Sequence, residues 1–208
     1  MDIIAIKKQS GGAGQFGEVF LRIEPLERGA GFEYAWAIVG GAIPSVYDQA
    51  VLKGIQQVLD MGAIAGYQMQ DIKVTVTDGK YHPVDSKEIA FISAGKKAFL
   101  DAINKAKPLV LEPIVKAEIT VPEDNMGAIT GDISGKRGRI QGSEVRPPNM
   151  VCVKAEVPLS ELTNYQTELK SATGGNGFFT MEFSHYEPVP GNIQQQLLSA
   201  YKPTETEE

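Results

Sequence analysis

The chain has 208 residues, a net charge of −6 at neutral pH and a hydrophobic content of 42%. This length suits one large domain or two small ones with a buried core. The acidic balance argues against a generally basic nucleic-acid-binding protein, though not against a local contact surface. The single cysteine, Cys152, excludes a disulfide framework, and two histidines beside it are too few for a usual zinc site. We therefore expect a reducing, cytoplasmic compartment and no metal, and no apolar run is long enough for a membrane span.

In the first half of the sequence, three predicted strands are followed by a helix, a fourth strand and a second helix. Strands are predicted over residues 3–8, 17–24, 32–38 and 69–77, with a turn at 78–79. Ser45 and Asp85 are predicted to be N-caps of two helices. Each is followed three positions later by an acidic residue, which is the spacing of a capping box. The two predicted helices end near residues 62 and 107, and the second carries an apolar stripe of Ile89, Ile92, Phe99 and Ile103.

The pattern changes after a proline-flanked linker at residues 108–113. Strands are predicted over 114–121, 139–145, 151–157 and 178–186, with helices from about 125 and over 159–172. The order strand, helix, strand, strand, helix, strand is typical of the ferredoxin-like arrangement. Asn192 then caps a short helix, and the acidic tail 203–208 is predicted to be disordered. We divide the chain into residues 1–110, 111–190 and 191–208.

The loop at residues 39–47 combines paired glycines with apolar side chains. Gly40 and Gly41 accept positive φ, and Pro44 holds Ile43 in an extended conformation. Ala42 and Ile43 either pack beneath the domain or press against a partner. The alternative to a contact loop is an ordinary connection between a strand and a helix.

A second loop, at residues 80–84, follows the next predicted strand. In a parallel βαβ unit both loops emerge at the same end, so we expect Ala42, Ile43 and His82 to lie close together there and to be exposed. On this expectation, Ile43→Asp leaves folding nearly intact.

Two glycine-rich strings resemble nucleotide-binding motifs without completing them. The run 12–17 reads G-x-G-x-x-G, but a strand rather than a helix follows it, and the downstream motifs of a protein kinase are absent from the sequence. We interpret it as a mobile connection. The run 131–137 is one residue short of a P-loop, with Arg137 in place of the magnesium-binding Ser or Thr.

Three cations, Lys136, Arg137 and Arg139, cluster at the end of a predicted helix. They either complement the helix dipole or form a phosphate-contacting patch. His82 has no serine or cysteine nucleophile beside it, and Asp85 is better explained as a cap. We therefore predict no catalytic residue.

Several runs resemble two domains of bacterial elongation factor G. Residues 8–17, 38–44, 81–86 and 106–113 are similar to its fourth domain, and residues 131–138, 155–161 and 179–183 are similar to its fifth. The similarity covers nearly the whole chain in one order. The ending, residues 183–190, resembles elongation-factor-G-like paralogues more than the housekeeping factor.

The resemblance implies an α+β fold: a βαβ domain like domain 2 of ribosomal protein S5, then a ferredoxin-like βαββαβ domain and a C-terminal helix. It implies a left-handed crossover in the first domain, although right-handed crossovers are the general rule. It also implies that a GTPase domain, holding GTP and magnesium, and two further domains precede this piece. On that basis we expect no cofactor and no catalysis in this chain itself.

The resemblance further implies a monomeric factor that binds the ribosome and moves the transfer RNA–messenger RNA duplex. One loop tip, Gly40, Gly41, Ala42, Ile43 and Pro44, and another, Tyr81, His82, Pro83 and Asp85, would contact that duplex in the decoding centre. Lys136, Arg137 and Arg139 would contact large-subunit ribosomal RNA. The alternatives are a paralogue for ribosome recycling or protection, and a free-standing RNA-binding or scaffold module.

Overall fold

A computed structural model describes residues 15–201, and the backbone of residues 2–8. The predicted acidic tail and half of the glycine-rich run 12–17 lie outside these residues. The chain divides into two compact units: residues 1–108 with 195–208, and residues 109–194. Each unit is an α+β structure built on one four-stranded sheet.

The first unit pairs its strands in the order β1-β2-β4-β3. The pairs β1–β2 and β2–β4 are antiparallel, whereas β3 and β4 are parallel. The strands are β1 (Asp2–Lys8), β2 (Gln15–Pro25), β3 (Phe32–Trp36) and β4 (Ile72–Lys80), and the helices are α1 (Asp48–Met61) and α2 (Glu88–Ala106). Because β3 and β4 run the same way, the loops that follow them leave the same edge of the sheet.

Small residues let the two helices of this unit pack closely. A β-carbon on Gly54 would clash with the carbonyl oxygen of Ile92, and one on Gly95 would lie 2.7 Å from that of Val51. Backbones can approach this closely only where no side chain intervenes. The helices also pack on the sheet, and the fully buried aromatic residues Phe91 and Phe99 of α2 lie in this core.

Neither helix begins at its predicted cap. Ser45–Tyr47 form a 3-10 turn, α1 begins at Asp48, and α2 begins at Glu88 with Lys87 at the cap position; no side-chain hydrogen bond caps these three elements. The Asp48 carboxylate instead accepts a hydrogen bond of 2.7 Å from the Tyr34 hydroxyl. Burial, together with this contact, raises the pKa of Tyr34 far above its usual value. The Asp48 side chain, which the predicted capping box required, is therefore used in a hydrogen bond between α1 and β3.

One further local prediction is wrong, and another fails at a single position. The predicted turn at residues 78–79 lies inside β4, which continues to Lys80. The predicted apolar stripe of α2 is confirmed at Phe99 and Ile103, which are fully buried, and at Ile92, which packs against the core; only Ile89 is exposed, and Phe91 is buried in its place. A β-carbon on Gly79 would clash with the carbonyl oxygen of Glu18, so the glycine serves close approach within the sheet rather than a turn.

The second unit has the βαββαβ connectivity of a ferredoxin-like domain. Its antiparallel sheet has the strand order β6-β7-β5-β8. The elements are β5 (Leu111–Pro122), α3 (Met126–Gly135), β6 (Arg139–Arg146), β7 (Met150–Pro158), α4 (Tyr165–Ala172) and β8 (Phe178–Pro188). The core contains Val115, Ala117 and Ile119 from β5 with Ile133 of α3 and Leu169 of α4. The chain here folds as the element order predicted.

The helix predicted over 159–172 is interrupted. Leu159–Leu162 form a 3-10 turn, and α4 begins only at Tyr165. The last helix is α5 (Gly191–Ala200), and residues from Gln195 onward group with the first unit. A β-carbon on Gly66 would lie 3.0 Å from Cε2 of Tyr201, so this end of the chain packs on the first unit. In the part of the chain that the structure describes, no helix is long and apolar enough to cross a membrane.

Candidate nucleic-acid interface

Two loops of the first unit lie side by side at the edge where β3 and β4 end. We call residues 37–47 the first tip loop and residues 81–87 the second tip loop. The hydroxyl of Tyr47 donates a 3.0 Å hydrogen bond to the carbonyl oxygen of Ser86. The ring of Tyr47 also lies 5.8 Å from that of Tyr81, centroid to centroid. One side chain therefore contacts the second loop at two points.

The first tip loop exposes its glycines and buries its isoleucine. Gly40 and Gly41 have φ values of 76° and 72°, and a β-carbon on either would meet open space. Glycine is needed there for backbone conformation alone. Val39, just before them, is 87% exposed. The outer surface of this loop therefore includes glycine backbone and the aliphatic side chains of Val39 and Val46, of which Val46 is 76% exposed.

The expectation that Ile43 is exposed is wrong. Its side chain is 2% exposed and belongs to the core of the first unit. A β-carbon on Gly79 would clash with Cδ1 of Ile43, so the space above this strand glycine receives the isoleucine. Ala42 and Pro44 beside it are half-buried. Ile43 thus anchors the first tip loop to the sheet, and Ile43→Asp would bury a charge rather than leave folding intact.

Ser86 organises the second tip loop. Its hydroxyl accepts a 2.9 Å hydrogen bond from the backbone N–H of His82 and donates a 2.8 Å bond to the carbonyl oxygen of Phe16. The backbone N–H of Ser86 donates to the carbonyl oxygen of His82 at 3.0 Å. The N–H of Phe16 donates to the carbonyl oxygen of Asp85 at 2.9 Å. The loop is therefore closed on itself and tied to the start of β2.

Tyr81, His82 and Pro83 are exposed, as is Val84 at 77%. Asp85 is half-buried. Of the tip-loop residues predicted from sequence, all but Ile43 therefore lie at or near the surface of the tip, and the two groups adjoin. Sequence reasoning missed Tyr47 and Ser86. Nothing in the sequence marks Tyr47 as a contact residue, because it fits the apolar spacing of the helix that follows it. Ser86 is marked only weakly, as a small polar residue between two charged ones.

The three predicted cations of the second unit are all paired with carboxylates. Lys136 contacts Glu168 at 2.7 Å, and this bond raises the pKa of Lys136. Arg139 contacts Glu187 at 2.6 Å and is 54% exposed. A phosphate would have to compete with these partners. Lys136 follows directly after α3, where the helix dipole favours a cation. The helix-dipole interpretation of this residue therefore remains open together with the phosphate-contact interpretation.

Arg137 has a structural role in the second unit. Its guanidinium binds both oxygens of Glu112, at 2.5 and 2.9 Å, and reaches Glu161 at 2.9 Å. Its backbone has a φ of 58°, which a non-glycine residue rarely adopts. The bidentate pair fixes the end of α3 against β5 and offsets this strain.

The uncovered face of the second sheet carries paired charges on its central strands. Lys116 stands opposite Glu156, and Glu118 stands opposite Lys154. Ferredoxin-like domains that bind single-stranded RNA on this face stack bases on aromatic side chains of the central strands. Charged pairs cannot supply such stacking, so this face is not a base-stacking platform. Among the described residues, no three His, Cys, Asp or Glu side chains form a group that could hold a metal ion.

Comparison with known proteins connects both units to one family. The family model for elongation factor G, domain IV, matches residues 4–107, and the model for the elongation factor G C-terminus matches residues 109–197. The chain belongs to the elongation factor G family. Neither matched domain of elongation factor G carries its GTPase site. The tip loops lie in the domain IV match, and the paired cations lie in the C-terminal match.

A crystal structure of a protein from Thermus thermophilus is similar over most of the chain. The two sequences are 39% identical, the TM-score is 0.73, and the match covers 95% of this elongation factor G family chain. It covers 29% of the Thermus chain, so the present chain spans less than a third of that protein's length.

Proposed function

We propose that this chain is the ribosome-binding part of a translation elongation GTPase that promotes movement of the transfer RNA–messenger RNA duplex. One observation carries the proposal: the two tip loops are clamped together through Tyr47 and Ser86 at one end of the domain IV unit. The clamp presents glycine backbone, Val39 and His82 to the outside. These loops would enter the decoding centre, in a cytoplasmic, monomeric factor.

Shape would do the work at this surface. RNA helices are recognised chiefly through their backbone and the shape of the minor groove. A closed loop pair with its anchors buried loses little conformational freedom on contact, so less of the binding free energy is spent on ordering it. A net charge of −6 is unfavourable for binding RNA by charge alone. It is compatible with a tip that contacts RNA through its shape.

The second unit would lie near large-subunit RNA at the GTPase-associated region. Of the three predicted contact cations, Arg139 is the most exposed, whereas Lys136 is 18% and Arg137 27% exposed. Arg139 is therefore the residue best placed to exchange a carboxylate partner for a phosphate. GTP and magnesium would be held by a domain outside this chain.

A chimera tests the proposal. This chain would replace the corresponding C-terminal part of an elongation factor G, and single-turnover translocation and GTP hydrolysis would be measured with His82→Ala and Val145→Ala variants. Val145 is 72% exposed in the second unit and serves as the matched surface control. We expect slow translocation with normal GTP hydrolysis for His82→Ala alone. A chimera whose translocation rate is unaffected by His82→Ala would contradict the proposal.

Ribosome recycling or protection is the second candidate. It is favoured by residues 183–190, which resemble paralogues and include an exposed pair of rings, Phe183 and Tyr186, with centroids 5.2 Å apart. A chimera that binds ribosomes and separates their subunits, or displaces a bound antibiotic, without translocating would favour this candidate.

A further inference from the structure

Two carboxylates hold Arg139 at the start of β6, and each of them also has a second hydrogen-bond donor. Oε1 of Glu187 lies 2.6 Å from a guanidinium nitrogen of Arg139 and 2.7 Å from Nε2 of His185. Oε2 of Glu156 lies 3.4 Å from the same guanidinium nitrogen and 3.1 Å from Nε2 of Gln141. Both carboxylates would therefore keep a donor if Arg139 turned away from them.

The imidazole of His185 keeps its contact with Glu187 whether the ring is neutral or charged. A carboxylate only accepts hydrogen bonds, so the ring nitrogen that faces Glu187 carries a proton. The other ring nitrogen, Nδ1, lies 2.9 Å from the hydroxyl oxygen of Ser184. This hydroxyl donates to Nδ1 of a neutral ring. It accepts from a charged ring and then turns its own proton toward Glu156, which lies 3.5 Å away.

A cavity of about 170 Å³ lies beside this network and is lined by both Arg137 and Arg139. The two arginines differ in what they would leave behind. Glu112 receives both bonds of the Arg137 guanidinium, is 9% exposed, and has a further donor, the Ser160 hydroxyl, only at 3.5 Å. A buried carboxylate that loses its partner costs free energy. Arg139 is therefore the arginine of this cavity that can turn away at little cost.

We propose that His185 is a positioning residue that lets Arg139 exchange its carboxylate partners for an RNA phosphate. When Arg139 turns to the phosphate, His185 stays on Glu187 and Gln141 stays on Glu156. The proposal rests on the proposed function for the ligand, a phosphate of large-subunit RNA, but not for the hydrogen-bond network. A cation that must first leave a carboxylate binds phosphate more weakly than a free cation does, so the network also reduces indiscriminate binding to RNA.

Three substitutions distinguish this role from a direct contact between His185 and RNA. His185→Gln keeps a side-chain N–H that can donate to Glu187, whereas His185→Leu removes every donor. Glu187→Gln removes the charge that holds Arg139. If His185 acts through Glu187, a variant with both His185→Leu and Glu187→Gln should behave as Glu187→Gln alone does. Calorimetric unfolding of each variant shows whether the second unit is folded.

The first measurement is a carbon-13 NMR titration of the Glu187 carboxyl in the 208-residue chain, assigned from its loss in Glu187→Gln. Arg139 and then His185 hold the pKa of Glu187 below its ordinary value. We expect this pKa to rise in Arg139→Met and to rise further when His185→Leu is added, because each change removes a donor to the carboxylate. An equal pKa of Glu187 in Arg139→Met with and without His185→Leu would overturn the role of His185 as the remaining donor.

The second measurement is equilibrium binding of the chain to large ribosomal subunits at several salt concentrations. Loss of one phosphate contact in Arg139→Met should weaken binding about tenfold and reduce the salt slope by about one. We expect a smaller loss for His185→Leu, none for His185→Gln, and recovery when Glu187→Gln is added to His185→Leu.

Two results would overturn the exchange. One is unchanged binding of His185→Leu, and the other is a loss in His185→Leu that Glu187→Gln does not restore, since the histidine would then act by another route. If the wild-type chain fails to bind large subunits, the proposed function fails and the phosphate part of this proposal fails with it. The titration of Glu187 still decides the hydrogen-bond network in that case.

Discussion

Replacing Ile43 with alanine should strongly destabilise the first unit, although the residue lies in a surface loop. The side chain is 2% exposed and packs above Gly79 in the core. Three carbon atoms are lost, which corresponds to roughly 2.4 kcal/mol of transfer free energy at about 0.8 kcal/mol each. A residual cavity adds to this, so we expect a loss of about 3–4 kcal/mol in the free energy of unfolding.

Urea unfolding followed by Trp36 fluorescence measures this loss. Trp36 is the single tryptophan of the chain and lies in β3, so its signal reports the first unit. At a slope of about 2 kcal/mol per molar, the midpoint should fall by roughly 1.5–2 M. Val39→Ala is the matched control, because Val39 belongs to the same loop and is 87% exposed; its free energy of unfolding should change by less than about 0.5 kcal/mol. Equal midpoints for the two variants would refute the anchoring role of Ile43.

Three further outcomes can be measured on the same chain. The pKa of Asp71 is held below its ordinary value by N–H donors, first that of Gly31. Its stabilising contribution is therefore present above about pH 4 and is lost as the pH falls through the lower folded-state pKa. The difference in unfolding free energy between wild type and Asp71→Asn should be constant above about pH 5 and should shrink below about pH 4. Arg137→Met leaves the buried Glu112 unpaired and should destabilise the second unit by about 2–3 kcal/mol by calorimetry, less than for a fully buried pair because Arg137 is 27% exposed; an unchanged transition would contradict this. Titration calorimetry with GTP and magnesium should show no binding, because the sequence holds no complete P-loop; stoichiometric micromolar binding would contradict it.

The order of strands and helices was sufficient to predict the architecture of the second unit, whereas the fold of the first unit was implied by the resemblance to elongation factor G. Periodicity fixes element type, and the βαββαβ order of the second half leads to the observed ferredoxin-like connectivity. The parallel pairing of β3 and β4 then brings the two tip loops to one edge. These features depend on the pattern of many residues, so single unusual positions do not disturb them.

The errors arose where one side chain served a distant partner. Asp48 looks like half of a capping box, but its carboxylate binds the Tyr34 hydroxyl across the unit. Gly79 looks like a turn residue after an aspartate, but it leaves room for Ile43 within a continuing strand. Local sequence contains neither partner. The burial of Ile43 was missed for the same reason, because its partner Gly79 lies on a strand that is distant in the sequence.

The central claim is that the two tip loops are the part of this chain that reaches the decoding centre. Hydroxyl-radical cleavage of ribosomal RNA from an iron chelate tethered at Val84→Cys tests it directly, since Val84 is 77% exposed and the native Cys152 is fully buried. We predict cleavage of small-subunit RNA around the decoding centre, absent when the chelate is tethered at Val145→Cys in the second unit. Cleavage at the decoding centre from Val145→Cys but not from Val84→Cys, or none from Val84→Cys on ribosomes that bind the chain, would contradict the account.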